Sequence, residues 1–197
     1  MGGGENCIMI IISQNLTNYK IPIPENAIFR INLAWVDNLA ELENLLVKHS
    51  EHNIFLDLPI NRTKPPANNY SLNDLFPILK NHKNIKYFAI SNVNSKNDLS
   101  CYLKQIPPEI TIVPKIESPD GIANIKEITD LLHPEKIIML DHDDLYSALI
   151  KRGEQPTQFK KYVNDLINFC SKNEVIILRT IGVLFSDEEK RITQYIK

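Results

Sequence analysis

The sequence predicts an α/β fold of the TIM-type (β/α) barrel class, truncated to about seven strands. Short runs rich in Ile, Val, Leu and Phe alternate with helical patterns, as in a parallel sheet whose strands are buried on both faces. Polar residues recur where these runs end, as at the mouth of a barrel. No glycine-rich phosphate loop follows any run, so a nucleotide-binding sheet gains no support. An open doubly wound sheet is the alternative.

The strands are predicted from apolar runs that are too short for helices and rich in β-branched residues. In chain order they are Cys7–Ile12, Ala27–Asn32, Ile54–Leu58, Tyr87–Ser91, Ile110–Lys115, Ile137–Asp141 and Val175–Arg179.

Helices are predicted between these strands from their capping residues. Asp37 precedes a helical pattern over Leu39–His49. Ser71 with Asp74 predicts a capping box for a helix that reaches Leu79 and is short or kinked because of Pro77. The other predicted helices are Asp98–Gln105 after Asn94 or Ser95, Asp120–Leu132 after Ser118 and Pro119, Thr157–Ser171 after Pro156, and a last one from Ser186 to near Ile196.

Composition limits the function classes. The chain has 197 residues, of which 43% are hydrophobic, and this suits one compact core over residues 7–197 after a disordered or artificially added N-terminus at 1–6. A net charge of −2 gives no electrostatic case for nucleic acid or an anionic membrane. No apolar run is long enough to span a bilayer. Three scattered cysteines predict a reducing, cytoplasmic location.

A lysine and a glutamate lie two residues apart at the end of the fifth predicted strand. Lys115 and Glu117 follow the apolar run Ile110–Val113, and side chains with this spacing point to the same face of a strand. Such a pair is costly in a core, but it suits a metal-bound anionic ligand at the mouth of a sheet. A structural ion pair at the rim is the alternative interpretation.

Five strand ends, taken in order, resemble the barrel domain of the pyruvate kinase family, without its inserted lid domain and its C-terminal domain. Val113–Gly121 resembles the family's Ala-Lys-Ile-Glu-Asn-x-x-Gly motif. The weaker similarities are Phe29–Trp35 to Arg-x-Asn-x-Ser-His, Phe55–Pro59 to the Leu-Asp strand, Tyr87–Val93 to Ala-Leu-Ser-Phe-Val, and Ile138–Leu145 to Met-Val-Ala-Arg-Gly-Asp-Leu-Gly.

The resemblance implies a metal-dependent enzyme that acts on phosphoenolpyruvate or pyruvate through an enolate, with phosphoryl transfer as its literal reaction. Glu117 and Asp144 match the carboxylates that hold Mg²⁺ or Mn²⁺. Lys115 and Arg30 match the catalytic cations beside the phosphoryl group and the enolate. The implied substrate-binding set is Arg30, Lys115, Asn32 and Asp57, of which the last two match monovalent-cation ligands.

Departures from the family pattern leave the implied activity open. Ala34 and Leu58 replace two monovalent-cation ligands, so the K⁺ site is expected to be lost. Asp143 replaces a glycine beside the metal ligand and would repel an anionic substrate if it faced the site. The alternatives are a catalytically impaired module for binding or assembly, and a metal-dependent aldolase or lyase. The expected partner is a small anionic substrate, and a homo-oligomer is allowed.

The remaining charged residues have plainer interpretations. The acidic residues Asp141, Asp143 and Asp144 also suit a helix N-cap cluster. His142 lies within this cluster and is a candidate ligand. The other four histidines, His49, His52, His82 and His133, are predicted to be solvated surface residues.

Overall fold

The computed structural model describes residues 11–13, 26–61, 66 and 68–179. Within them lies a parallel sheet of seven strands, each hydrogen-bonded to its neighbours in chain order. The strands are β1 (Ile11–Ser13), β2 (Ile28–Asn32), β3 (Asn53–Leu58), β4 (Ile85–Ile90), β5 (Thr111–Ile116), β6 (Ile137–Leu140) and β7 (Ile176–Arg179).

The predicted α/β class and parallel sheet are confirmed. All six neighbouring pairs are parallel, and the sheet curls into a half-barrel. The strand order never reverses, whereas a doubly wound sheet has a switch point where the order changes. That alternative is therefore excluded for the described strands.

The helices connect successive strands. They are α1 (Leu39–Lys48), α2 (Leu72–Asn81), α3 (Ser100–Gln105), α4 (Pro119–Ala123), α5 (Ile125–Thr129), α6 (His142–Lys151) and α7 (Gln158–Lys172), with short 3-10 turns at Leu33–Trp35 and Lys96–Leu99. None of the helices within the described ranges is long and apolar enough to cross a membrane.

Local capping chemistry fixes several helix starts. The predicted capping box of α2 is present, with Ser71 and Asp74 satisfying each other's backbone N–H groups, and the helix continues past Pro77 to Asn81. Asn38, not Asp37, caps α1. The helix predicted after Ser118 is divided at Asn124 into α4 and α5.

One helix was not predicted, and two predicted regions lie outside the described residues. The helix α6 was not predicted, and it begins at the acidic residues that follow β6. The N-terminal residues 1–6 and the last predicted helix, from Ser186 to near Ile196, lie outside the described residues.

The two faces of the sheet bury different sets of residues. On the helix-covered face, strand residues such as Leu56 and Phe88 pack with helix residues such as Leu46 and Leu166 in one large core. On the concave face, inside the curl, a separate apolar cluster draws on each strand from β2 to β6. Its buried members are Ile28, Phe55, Ala89, Val113, Ile137 and Met139.

A polar layer lies on the concave face just beyond this apolar cluster. Because side chains two residues apart share a face of a strand, the last residue that each strand contributes to this cluster is followed two positions later by a polar one. The polar layer, as named here, consists of Arg30, Asp57, Ser91, Lys115 and Asp141. Four of the five, Asp57, Ser91, Lys115 and Asp141, lie at or just beyond the carboxyl ends of their strands, where parallel β/α sheets hold their functional sites, and Arg30 lies in the middle of β2.

Candidate functional site

Lys115 lies at the centre of the polar layer. Its Nζ lies 2.8 Å from Oε1 of Glu117 and 3.6 Å from Oδ2 of Asp57, and it donates a hydrogen bond of 3.2 Å to Oγ of Ser91. Burial lowers the pKa of Lys115, but the charges of Asp57 and Glu117 outweigh burial and hold that pKa above its ordinary value. Lys115 is therefore a permanently charged cation under the mouth of the sheet.

Asp57 joins the two cations of this layer. Nε of Arg30 donates to Oδ2 of Asp57 at 3.1 Å, and the Arg30 Nη2 group donates a second, short hydrogen bond to the same oxygen. Burial raises the pKa of Asp57, but the charges of Lys115 and Arg30 outweigh it and keep that pKa below its ordinary value. A carboxylate that is 1% exposed is thus kept ionised by paired cations.

Glu117 is oriented by the loop that follows β4. The backbone N–H of Asn92 donates to Oε2 of Glu117 at 2.7 Å, and Asn92 adopts a left-handed conformation with φ of 55° to present this group. Burial and the nearby Asp141 raise the pKa of Glu117, and the charge of Lys115 offsets this only in part, so the net direction is upward. A second cation beside Glu117 would relieve this cost.

Three carboxylates meet at this point. Glu117, Asp141 and Asp144 each place an oxygen within 4.8 Å of the others. Asp141 is also the N-cap of α6, because its Oδ1 accepts from the backbone N–H of Asp144 at 3.2 Å. Oxygen-only ligands suit Mg²⁺ or Mn²⁺ and not the softer metals that prefer nitrogen or sulfur. The donor set fits a hard divalent cation.

Helix α4 packs closely against the loop that follows β4, and this contact holds the triad in place. A Cβ added to Gly121 would lie 2.7 Å from the carbonyl oxygen of Val93, so only glycine allows α4 to pack against the loop after β4. Across the same contact, Nδ2 of Asn124 donates to the backbone oxygen of Asn94 at 2.9 Å. The loop after β4, which orients Glu117, is therefore held against α4.

An open cleft of about 220 Å³ gives access to these groups. Of the predicted site residues, Lys115, Glu117 and Asp144 line it. Arg30 and Asp57 lie behind Lys115, one ion pair away. Asn32 uses its side-chain oxygen to accept from Ala34 N–H at 3.0 Å and caps a 3-10 turn. Five of the six predicted site residues are thus joined through the cleft and its ion pairs, and Asn32 lies opposite Asp57 in the sheet and caps the 3-10 turn.

Other predicted roles change in the structure. Asp143 is exposed and belongs neither to the triad nor to the cleft lining. His142 contacts Arg179 and the ring of Phe159, and it is not in the triad. The prediction that His49 is solvated is wrong: it is 6% exposed and stacks on Phe29 with ring centroids 3.7 Å apart.

Sequence reasoning missed three contributors to the site. Asp141 is absent from the metal set implied by the resemblance, and its position at a strand end is the signal that it could face the cleft as well as cap a helix. Ser91 and Asn92 follow β4 in the same way and contact Lys115 and Glu117. The backbone donor of Asn92 carries no signal in its residue type.

Comparison with known proteins establishes a likeness of fold. No protein-family model and no curated protein matches the sequence. Among solved structures, the chain is similar to RipC from Yersinia pestis with a TM-score of 0.59 and 13% sequence identity, over 95% of this chain and 80% of RipC. Likeness at this identity extends to the fold alone.

The predicted membership of the pyruvate kinase family is therefore wrong. No family model matches, and the fold likeness reported above is to RipC. The motifs behind that assignment are short and lie at strand ends, where any parallel β/α sheet with a site at its mouth collects Arg, Lys, Asp and Glu. The chain belongs to the α/β proteins with a curled parallel sheet, and its function must be argued from its own site.

Proposed function

We propose that this protein is a metal-dependent enzyme that stabilises an enolate of a pyruvate-type substrate and makes or breaks a carbon–carbon bond beside it, as an aldolase or lyase does. The observation that carries the proposal is the junction of the carboxylate triad with Lys115, whose Nζ lies 2.8 Å from Glu117. Glu117, Asp141 and Asp144 would hold Mg²⁺ or Mn²⁺. When bound, such an ion polarises the carbonyl oxygen as a Lewis acid.

Lys115 supplies the second electrostatic element. Its ammonium is fixed by Ser91, Asp57 and Glu117, so it needs little reorganisation when negative charge develops on a substrate oxygen. In the cleavage direction the substrate hydroxyl gives its proton to water, its oxygen becomes the carbonyl oxygen of one product as the carbon–carbon bond breaks, and the electron pair of that bond passes to the enolate. A proton then returns to the enolate carbon. Arg30 acts through Asp57 and holds Lys115 in place.

The proposal extends to the architecture. The sequential, all-parallel strand order and the polar layer at the strand ends support a TIM-type barrel reduced to about seven strands. In such barrels the site lies at the carboxyl ends of the strands, and the triad lies there in this chain.

A thermal-shift titration tests metal and ligand binding. Oxalate, an enolate mimic, with Mn²⁺ should raise the melting temperature of the wild type through mass action. Glu117→Gln should abolish this response with the fold intact. Asp143→Asn is the matched control, because Asp143 lies in the first turn of α6 beside Asp144 but outside the triad, and it should respond as the wild type does.

Deuterium exchange tests the chemistry itself. An enzyme that forms the enolate of pyruvate should speed the exchange of its methyl protons with deuterium oxide in the presence of Mg²⁺, as NMR would show, and Lys115→Met should lose most of this rate. Absence of both Mn²⁺-dependent stabilisation and exchange would refute the enzyme proposal. Formation of ATP from phosphoenolpyruvate and ADP would replace the lyase reaction with phosphoryl transfer.

One observation favours a second candidate, a binding module without turnover. Asp57 pairs with both Arg30 and Lys115, so much of their positive charge is already balanced within the protein. Binding of Mn²⁺ and oxalate without any proton exchange would support this candidate over the enzyme.

A further inference from the structure

One wall of the cleft is a single face of α6. Asp144, Ser147, Ala148 and Lys151 line it, and their spacing of three, four and seven residues places them on one side of a helix. The carboxylate triad marks one end of this stripe, and Lys151 marks the other. Seven residues of helix separate Asp144 from Lys151 by about 10 Å along the axis.

Lys151 differs from the other cation of the cleft. Among the described residues that line the cleft, Lys115 and Lys151 are the two cations. Lys115 is buried and held by Asp57 and Glu117, whereas Lys151 is exposed and has neither a hydrogen bond nor an ion pair with any described residue. No described residue therefore competes with a ligand for the ammonium of Lys151.

Two hydroxyls that line the cleft are already committed as donors to groups of the protein. Ser147 Oγ donates to the backbone oxygen of Asp143 at 2.7 Å. Ser118 Oγ donates a short hydrogen bond to Oδ1 of Asn94. Both protons are thus committed within the protein, so an acceptor that enters beside these residues has Lys151 as its charged partner.

A plainer explanation exists for a lysine at this position. Lys151 is in the last turn of α6, where a cation interacts favourably with the helix dipole. Lys172 holds the same place in α7 and is exposed, but it does not line the cleft. Comparing variants of Lys151 and Lys172 therefore distinguishes a structural role at a helix end from a role in ligand binding.

We propose that Lys151 forms a second anion-binding subsite, which selects substrates with a carboxylate or phosphate group at the end remote from the metal triad. The inference rests on the proposed function, because it assumes that the triad binds the α-keto acid end. Long side chains in a helix preferentially lean toward its N-terminus, and this rotamer of Lys151 brings the ammonium back along α6 toward Asp144. The span to be bridged is therefore shorter than the separation along the axis, and a substrate a few carbons longer than pyruvate fits it.

Calorimetric titration with matched ligands tests this subsite in the presence of Mn²⁺. α-Ketoglutarate and α-ketoadipate carry a remote carboxylate, and α-ketovalerate carries a methyl group where α-ketoglutarate carries its carboxylate. The α-keto acid with a remote phosphonate in place of that carboxylate separates the two sources of charge. We expect the charged tails to improve affinity about five-fold, the size of an exposed ion pair.

Variants assign the effect to the lysine. Lys151→Met should remove the advantage of the charged tails and leave oxalate affinity unchanged, Lys151→Arg should retain the advantage, and Lys172→Met should behave as the wild type. An advantage for only one of carboxylate or phosphonate supports the subsite and identifies its ligand class. Equal affinities for charged and uncharged tails, or an advantage that persists in Lys151→Met, would overturn the subsite while oxalate still binds. Failure of oxalate itself would instead overturn the proposed function.

Discussion

The two faces of the curled sheet use the same strands for different purposes. The helix-covered face buries an unbroken apolar core in which Leu56 and Phe88 are fully inaccessible. The concave face is apolar only up to the ends of the strands, where Asp57 and Lys115 are buried as charges. Apolar burial stabilises a fold directly, whereas a buried ion pair roughly offsets its own desolvation.

Stability and ligand binding are therefore expected to depend on opposite faces of the sheet. The helix-covered face supplies the free energy of folding, and the concave face positions charge at a cost that the rest of the fold must offset. Substitutions on the two faces should therefore separate loss of stability from loss of ligand binding, and the largest loss of stability is expected in the helix-covered core.

Phe88→Ala should cause the largest loss, about 3–5 kcal/mol of unfolding free energy, because it opens a cavity in the helix-covered core. Urea denaturation measures it as a lower midpoint. Lys86→Ala is the control in the same strand, since Lys86 is exposed, and it should change stability little. A loss below 1 kcal/mol for Phe88→Ala would contradict the tight packing of this face.

Asp57→Asn should cost about 3 kcal/mol, because it leaves Arg30 and Lys115 without their shared carboxylate. The pKa of Asp57 in the folded protein lies below its ordinary value of 3.8. Its contribution is therefore complete above that value and is lost as the pH falls below it. The difference between wild type and variant, measured by urea denaturation at several pH values, should shrink in acid; a difference that is constant with pH would contradict ionic stabilisation.

Gly121→Ala should lower the unfolding free energy by about 1–3 kcal/mol, because its Cβ would lie too close to the Val93 carbonyl and force α4 away from the loop after β4. The same displacement moves Asn92 away from Glu117, so Mn²⁺ affinity should fall more than stability does. Calorimetric titration beside thermal denaturation would check this. Unchanged Mn²⁺ affinity at reduced stability would show that the loop does not position the triad.

His49 should produce the smallest effect, visible only as a pH dependence. Burial, together with the charge of Lys48, keeps the pKa of His49 below its ordinary value. Its stabilising contribution is thus complete above the ordinary pKa of about 6.5 and is lost as the pH falls. In His49→Phe, which keeps the stacking on Phe29, the fall of melting temperature between neutral and mildly acidic pH should be smaller than in the wild type. An equal fall would assign it to other groups.

Much of the fold could be predicted from the sequence because its cause is local. In the run Ile137–Asp141, the four residues before Asp141 are all apolar, and a short run of this kind is typical of a strand buried on both faces. The capping box of Ser71 and Asp74 is equally local. The sequence indicated only the start of α6, because Asp141, Asp143 and Asp144 suit a helix N-terminus but also lie at the end of β6.

The site could be predicted only in part because its contacts are long-range. The two-residue spacing of Lys115 and Glu117 is visible in the sequence, and the structure places both at the cleft. The approach of Asp141 to Glu117 depends on the pairing of β5 with β6, in which Lys115 lies opposite Met139. Arg30 lies opposite Phe55 in the alignment of β2 with β3, and its long side chain reaches diagonally to Asp57, two residues further along β3. No pattern in one strand specifies these alignments.

The two-residue step between the concave apolar cluster and the polar layer makes the chemistry of this protein modular. Arg30, Ser91 and Asp141 each lie one pleat beyond a residue of the cluster, and none contributes to the helix-covered core. Their identities can change without repacking the helices. A combinatorial library confined to these positions would therefore sample new catalytic or binding specificities on a scaffold of constant fold, whereas a deletion of one residue within a strand would turn its polar group into the core.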